Sequence, residues 1–191
     1  MQKLCDLFED RMSIYLHPDY DWKHRSENEM PYLLKIDCLA TEIMKLTRRY
    51  KSRKRITKLG KKYLELPVSW QYFNLFINYW NELNWAYPRS IGFGAEMAQD
   101  IRNSIRSLLV VSTEWVNVDV FKQEVGDLMA VDQPIIDNPE FQRDVQEAVR
   151  KVIEIVELFD LMEVEFESDE DNYRSINRIH LTSLGQKILN Y

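Results

Sequence analysis

A mainly α-helical chain with a minor β component is what this sequence predicts, on three observations. Apolar residues return at three- and four-residue spacing over most of the length. Only five Gly and six Pro punctuate 191 residues, so turns are few and elements long. Two-residue alternation of apolar and polar side chains, the mark of a half-buried strand, is clearest near the C-terminus. Aromatics make up 12% of the chain, with five Trp and ten Tyr, enough ring surface for a substantial core.

In chain order, Leu4, Leu7, Phe8 and Met12 place a helix over 2–16, ended by His17-Pro18 because the residue before proline is pushed out of the α region. A polar loop runs to Pro31. Leu33, Ile36, Leu39, Ile43, Met44 and Leu46 predict a helix from Tyr32 to about Tyr50, followed by a basic knot at 48–55. Ile56-Thr57 reads as a short strand and Lys58 to Leu66 as a helix stopped by Pro67. Ser69 is a suitable cap for a helix reaching about Tyr87, with Trp70, Phe73, Ile77 and Trp80 on one face. Such an aromatic stripe is core, and it is the expected seam between the two ends of the chain.

After a turn at 88–94, one amphipathic helix is expected over 95–112 and a shorter one over 119–130. Asn138 as cap, Pro139 in the first turn and Glu140 facing the positive end of the dipole start another helix that reaches about 159. Leu161 to Glu167 alternates apolar and acidic residues, and 176–182 alternates again, so the two predict a hairpin across the polar turn 168–175. A last helix covers Ser183 to Asn190.

One internal repeat stands out. Residues 56–64 read Ile-Thr-Lys-Leu-Gly-Lys-Lys-Tyr-Leu and residues 181–189 read Leu-Thr-Ser-Leu-Gly-Gln-Lys-Ile-Leu. Both follow a long helix and a charged segment. The pattern predicts a strand-to-helix junction in which Thr caps the helix and Gly allows close approach to a neighbour.

Residues 139–191, ordered helix, strand, acidic turn, strand and Leu-Thr-Ser-Leu-Gly helix, resemble the end of a winged-helix domain, which in many bacterial transcription regulators closes its wing with a Leu-Thr-x-x-Gly segment. Residues 32–66 look like a second, abbreviated copy with a short wing. Together with Asn-Glu-Leu-Asn-Trp-Ala-Tyr at 81–87, the chain is similar to the C-terminal region of bacterial plasmid ORF-3-like proteins, some of which carry a SEC-C metal motif. The resemblance implies winged-helix-like units in a helical protein and brings no enzymatic activity; the SEC-C cysteines are absent. The chain divides on this reading into 1–68, 69–137 and 138–191, the middle being aromatic-rich helices; the alternative is one compact domain, an irregular helical bundle with one C-terminal hairpin.

The charge distribution supplies the candidate site. Lys45, Arg48, Arg49, Lys51, Arg53, Lys54, Arg55, Lys58, Lys61 and Lys62 fall within 45–62 with no acid among them, although the net charge of the whole chain is −6. On a wing and an adjoining helix end, such residues contact phosphates, and Tyr50 can stack or pack. The alternatives are a solvated helix end, or a surface that docks on the protein's own acidic half: Glu154, Glu157, Asp160, Glu163, Glu165, Glu167, Asp169, Glu170 and Asp171. That acidic half would repel DNA and suits a protein contact. A homodimer is expected through such complementarity, anchored by Ile155, Leu158 and Phe159.

No catalytic spacing is present, so no enzyme activity and no cofactor are expected. His17, Asp19, Asp21 and His24 match no metal-ligand spacing, His180 sits on a strand, and Gly92-Phe93-Gly94 lacks the lysine and spacing of a phosphate loop. Cys5 and Cys38 are too few for a disulfide scaffold. Acids occupy the place where a secretory signal needs an apolar run, and the longest aliphatic run, Leu108 to Val111, cannot span a bilayer, so a cytoplasmic protein without a membrane partner is expected. The partner classes left open are nucleic acid, a second copy of the chain and another protein.

Overall fold

The computed structural model describes residues 31–51, 53–86, 93–112, 114–130, 138–168 and 174–191. The expected helix over 2–16, Cys5, His17 and His24 lie outside them. The chain is mainly α with small antiparallel sheets. Helix α1 (Pro31–Cys38) continues into a π-helical turn (Leu39–Ile43), then the hairpin β1 (Thr47–Tyr50) and β2 (Arg53–Ile56), and α2 (Lys58–Leu64). Helices α3 (Val68–Glu82), α4 (Gly94–Asp100) and α5 (Arg102–Val111) form the middle. Strand β3 (Val116–Asn117), α6 (Val118–Ala130), α7 (Pro139–Leu158), β4 (Met162–Ser168), β5 (Arg174–Leu181) and α8 (Ser183–Leu189) complete it. The C-terminal sheet is antiparallel, ordered β3-β5-β4, with a register shift at Glu165/Phe166.

Helix α7 is the spine. Phe141, Val145, Ala148, Val149, Val152, Ile153, Ile155 and Val156 are all buried, more than one face of a surface helix supplies. Asn138 caps its start, its side chain accepting from the Glu140 N–H at 2.9 Å. Helix α4 meets α7 through Gly94, Ala95 and Ala98, small enough for close approach of the two backbones. On the other side sits the aromatic seam. Phe159 makes edge contacts with Tyr72, Phe76 and Tyr79 at 5.2–5.9 Å between centroids, and the Tyr72 hydroxyl donates to the Phe159 carbonyl. Trp80 and Trp85 pack edge to face at 4.7 Å, and Gln99 holds the chain between them by accepting from Trp85 N and donating to Leu83 O, both at 2.9 Å.

The internal repeat becomes two copies of one junction. Lys45 and Asp160 reverse the chain after a helix with φ of 54° and 49°. This left-handed conformation costs a non-glycine residue about 1–2 kcal/mol, so the surroundings must hold it. The next residues, Leu46 and Leu161, offer carbonyls that accept from Thr57 N at 2.9 Å and Thr182 N at 3.0 Å. Each Thr hydroxyl donates back to the reversed residue (Thr57 to Lys45 O at 2.8 Å, Thr182 to Asp160 O at 3.2 Å). Each also caps the following helix by accepting from Gly60 N or Gly185 N. A Cβ on Gly60 would lie 2.1 Å from Leu46 O, and one on Gly185 2.0 Å from Leu161 O. Glycine is therefore required at both places.

Several expectations need correction. The helix expected to reach Tyr50 ends near Met44, because Lys45 reverses the chain and Thr47–Tyr50 pairs as a strand. Ile36 of the expected apolar stripe is 43% exposed while Lys35 is buried, since Lys35 turns inward to Glu154. Ser69 is no cap: Pro67, with ψ 143°, starts α3 directly. That helix stops at Glu82 rather than Tyr87, where Leu83 turns extended, and Trp70 is half exposed. The single helix expected over 95–112 is two, broken at Ile101 (φ −95°, ψ 14°). Ile155 and Phe159, expected as dimer anchors, are buried in the chain's own core.

Candidate nucleic-acid interface

The β1–β2 hairpin organises the basic segment into two faces. Its register pairs Thr47 with Ile56, Arg48 with Arg55, Arg49 with Lys54 and Tyr50 with Arg53. Directly paired residues share a face and successive pairs alternate, so Arg48, Tyr50, Arg53 and Arg55 stand on one side and Thr47, Arg49, Lys54 and Ile56 on the other. Lys51, at φ 47°, lies in the two-residue connection.

The inner face has a counter-ion. Asp37 on α1 pairs with Arg49 at 2.9 Å and with Lys54 at 2.5 Å, and it accepts from the Thr41 hydroxyl at 3.0 Å. Thr41 and Thr47 hydroxyls lie 3.0 Å apart, which ties β1 to the π-helical turn. Burial of the Asp37 carboxyl opposes its ionisation. The hydrogen bonds from Lys54, Arg49 and Thr41 outweigh that and hold it below the ordinary carboxylate range.

The outer face has none among the described residues. Arg48 and Arg55 stand directly across from each other, an arrangement that destabilises a strand pair unless something negative answers it. Relief among the described residues comes from Tyr50, whose ring lies 4.6 Å beneath the Arg55 guanidinium and 5.5 Å from the Lys51 ammonium. Beyond the hairpin, the exposed Lys58, Lys61 and Lys62 sit at i, i+3 and i+4 on α2, a single stripe. The structure thus places Lys45 at the chain reversal and separates the other nine basic residues into three groups: Arg48, Arg53 and Arg55 outward, Arg49 and Lys54 held by Asp37, and Lys51 with the α2 lysines around them. Ion pairs of the hairpin run to Asp37 and not, among the described residues, to the acidic half.

No protein-family model matches this chain. No curated protein or solved structure matches it either.

Two further clusters had no warning in the sequence. Lys35 is buried beside Lys151, and both reach Glu154, at 4.0 and 2.8 Å. Burial, then the neighbouring Lys151 charge, lowers the Lys35 pKa to about 8, against a smaller opposing pull from Glu154. Burial also raises the Tyr79 hydroxyl's pKa, helped by the Glu154 charge. On the outer side of the C-terminal sheet, Trp115 stacks on His180 at 5.4 Å with Arg178 5.6 Å away. Arg178 pairs with Glu165 at 2.6 Å, and Glu163 stands 3.7 Å from His180. A cleft of about 270 Å³ between α6 and α7 is lined by Asp119, Lys122, Gln123, Asp127 and Gln142 among others, with no His or Cys. Among the described residues no group of His, Cys, Asp and Glu is placed to hold a metal ion, and no helix is long and apolar enough to cross a membrane.

Proposed function

We propose that this chain is a non-catalytic regulatory module that binds nucleic acid through the outer face of the β1–β2 hairpin. The observation that carries the reading is the asymmetry of that hairpin. Asp37 pairs with both Arg49 and Lys54 on one face, while Arg48, Arg53 and Arg55 face solvent with no carboxylate partner among the described residues. Phosphates are the anions that such a ribbon fits, and guanidinium groups bind them in paired hydrogen bonds.

The order α5, β3, α6, α7, β4, β5 with a β3-β5-β4 sheet supports a winged-helix reading of the C-terminal unit. The shared junction supports an abbreviated second unit around β1 and β2. On this reading the two wings have opposite tasks. The first is basic and meets phosphate; the second carries Glu163, Glu165 and Glu167, repels phosphate, and is left for protein.

Fluorescence anisotropy with a labelled DNA duplex at low salt tests the proposal. The triple substitution Arg48→Ala, Arg53→Ala and Arg55→Ala should remove most of the binding, while Glu163→Gln should leave it intact. Absence of binding by the unsubstituted chain at low salt, or equal binding by the triple variant, would overturn it.

A further inference from the structure

We infer that the outer face of α2 is a docking surface for the acidic outer face of the C-terminal sheet in a second copy of this chain. The inference does not use the outer arginines of the hairpin. It starts from exposed apolar residues, the aliphatic ones among them having no role in phosphate binding. Leu59 and Leu64 are 53% and 62% exposed and flank the stripe of Lys58, Lys61 and Lys62 on either side; Val68 and Trp70 follow at 79% and 51%. Large apolar side chains left this exposed, close together in the chain, are where a contact would centre.

The rim of that surface selects its partner. It is lysine-rich, so two α2 faces brought together around a two-fold axis would repel. The complement is on the same chain. Cross-strand pairing puts Glu163 with His180 and Glu165 with Arg178 on the outer side of the sheet, next to Trp115, which is 40% exposed. Arg178 is already engaged by Glu165, so Glu163 and the exposed Glu167 leave this face negative. Among the described residues the ion pairs of β4 run to β5, Glu165 to Arg178 and Glu163 to His180. Basic face on acidic face closes as a two-fold dimer where both reciprocal contacts form at once, and grows into a ring or a chain where they do not. Lysine pairs at its edge steer, and Leu64, Val68 and Trp70 against Trp115 supply the apolar centre that exposed ion pairs alone do not.

Sedimentation velocity over a micromolar concentration series tests this with two charge-reversed variants. One is Glu163→Lys with Glu167→Lys; the other is Lys58→Glu with Lys61→Glu. An exposed ion pair contributes up to about fivefold in affinity, so two reversed pairs weaken association by about 25-fold or more. The unsubstituted chain should gain mass with concentration and lose it in added salt. Each variant alone should stay near 23.0 kDa, and an equimolar mixture should regain association, because the basic sheet of one meets the acidic α2 of the other. An unsubstituted chain that stays near 23.0 kDa throughout, variants that associate alone, or a mixture that does not recover each overturns the inference. So does association that appears only when DNA is added, which would assign the stripe to nucleic acid instead.

Discussion

Replacing Gly185 by Ala adds one methyl group, and the structure says where it lands: 2.0 Å from the Leu161 carbonyl oxygen and 2.9 Å from its carbon. Both are backbone atoms, so no side chain can swing aside. The same carbonyl accepts from Thr182 N at 3.0 Å, and the Thr182 hydroxyl caps α8 through Gly185 N. To make room, α8 must move off the β4 entry, weakening a hydrogen bond and a cap worth about 1 kcal/mol each in addition to about 1–3 kcal/mol of overpacking. We therefore expect Gly185→Ala to cost about 3 kcal/mol, and Gly60→Ala to act in the same direction through Leu46. Gly126→Ala is the control. Its Cβ meets only Val145 methyls at 3.6 and 3.7 Å, ordinary contact, so the better helix propensity of Ala should stabilise by about 0.5–1 kcal/mol. Urea titrations followed by tryptophan fluorescence read both. If Gly185→Ala leaves the midpoint unchanged, or if Gly126→Ala is equally damaging, the account of the repeated junction is wrong.

Lys35 gives a prediction with a definite pH window. Its folded pKa, about 8, lies below the ordinary 10.5, so between these values the unfolded chain binds more protons and stability rises with pH. A displacement of that size corresponds to about 3 kcal/mol. Lys35→Met should accordingly be more stable than the unsubstituted chain at pH 7, with the gap closing towards pH 10.5, as read by urea midpoints; a gap that widens would contradict the burial argument. Asp37 has the opposite sign. Its folded pKa is depressed, so its contribution is present at neutral pH and is lost as pH falls through that depressed value. Asp37→Asn should cost about 1 kcal/mol at pH 7 and flatten the acid limb of the stability curve, and an unchanged acid limb would remove Asp37 from its place as the hairpin's counter-ion.

What could be read from sequence follows from how local the chemistry is. Thr and Gly three residues apart announce a capped helix wherever they occur, so both junctions were legible from residues 57–60 and 182–185. Alternating acids exposed β4, and Asn138-Pro139 marked the start of α7 to the residue. A short wing was expected within 32–66, but its strands and faces could not be placed because both faces are basic: the alternation that separates Arg48 from Arg49 is invisible until Asp37, twelve positions away, takes one and not the other. The left-handed Lys45 carries no signal, since lysine has no preference for that conformation. Buried lysines defeat a polarity pattern, which is why Ile36 was expected inside although Lys35 turns inward instead. Ile155 and Phe159 follow the helical stripe perfectly well, but the period alone does not say whether the covering surface belongs to the same chain or to another.

The central claim, that the outward arginines of the β1–β2 hairpin meet phosphate, is tested most directly by the salt dependence of binding to duplex DNA. Each phosphate neutralised contributes a slope of about −0.9 in log affinity against log salt, so Arg48, Arg53 and Arg55 together predict about −2.7 between about 50 and 200 mM salt. The triple alanine variant should bring whatever binding remains close to zero slope. A slope near zero for the unsubstituted chain, or a steep slope that survives the loss of all three arginines, would contradict the account.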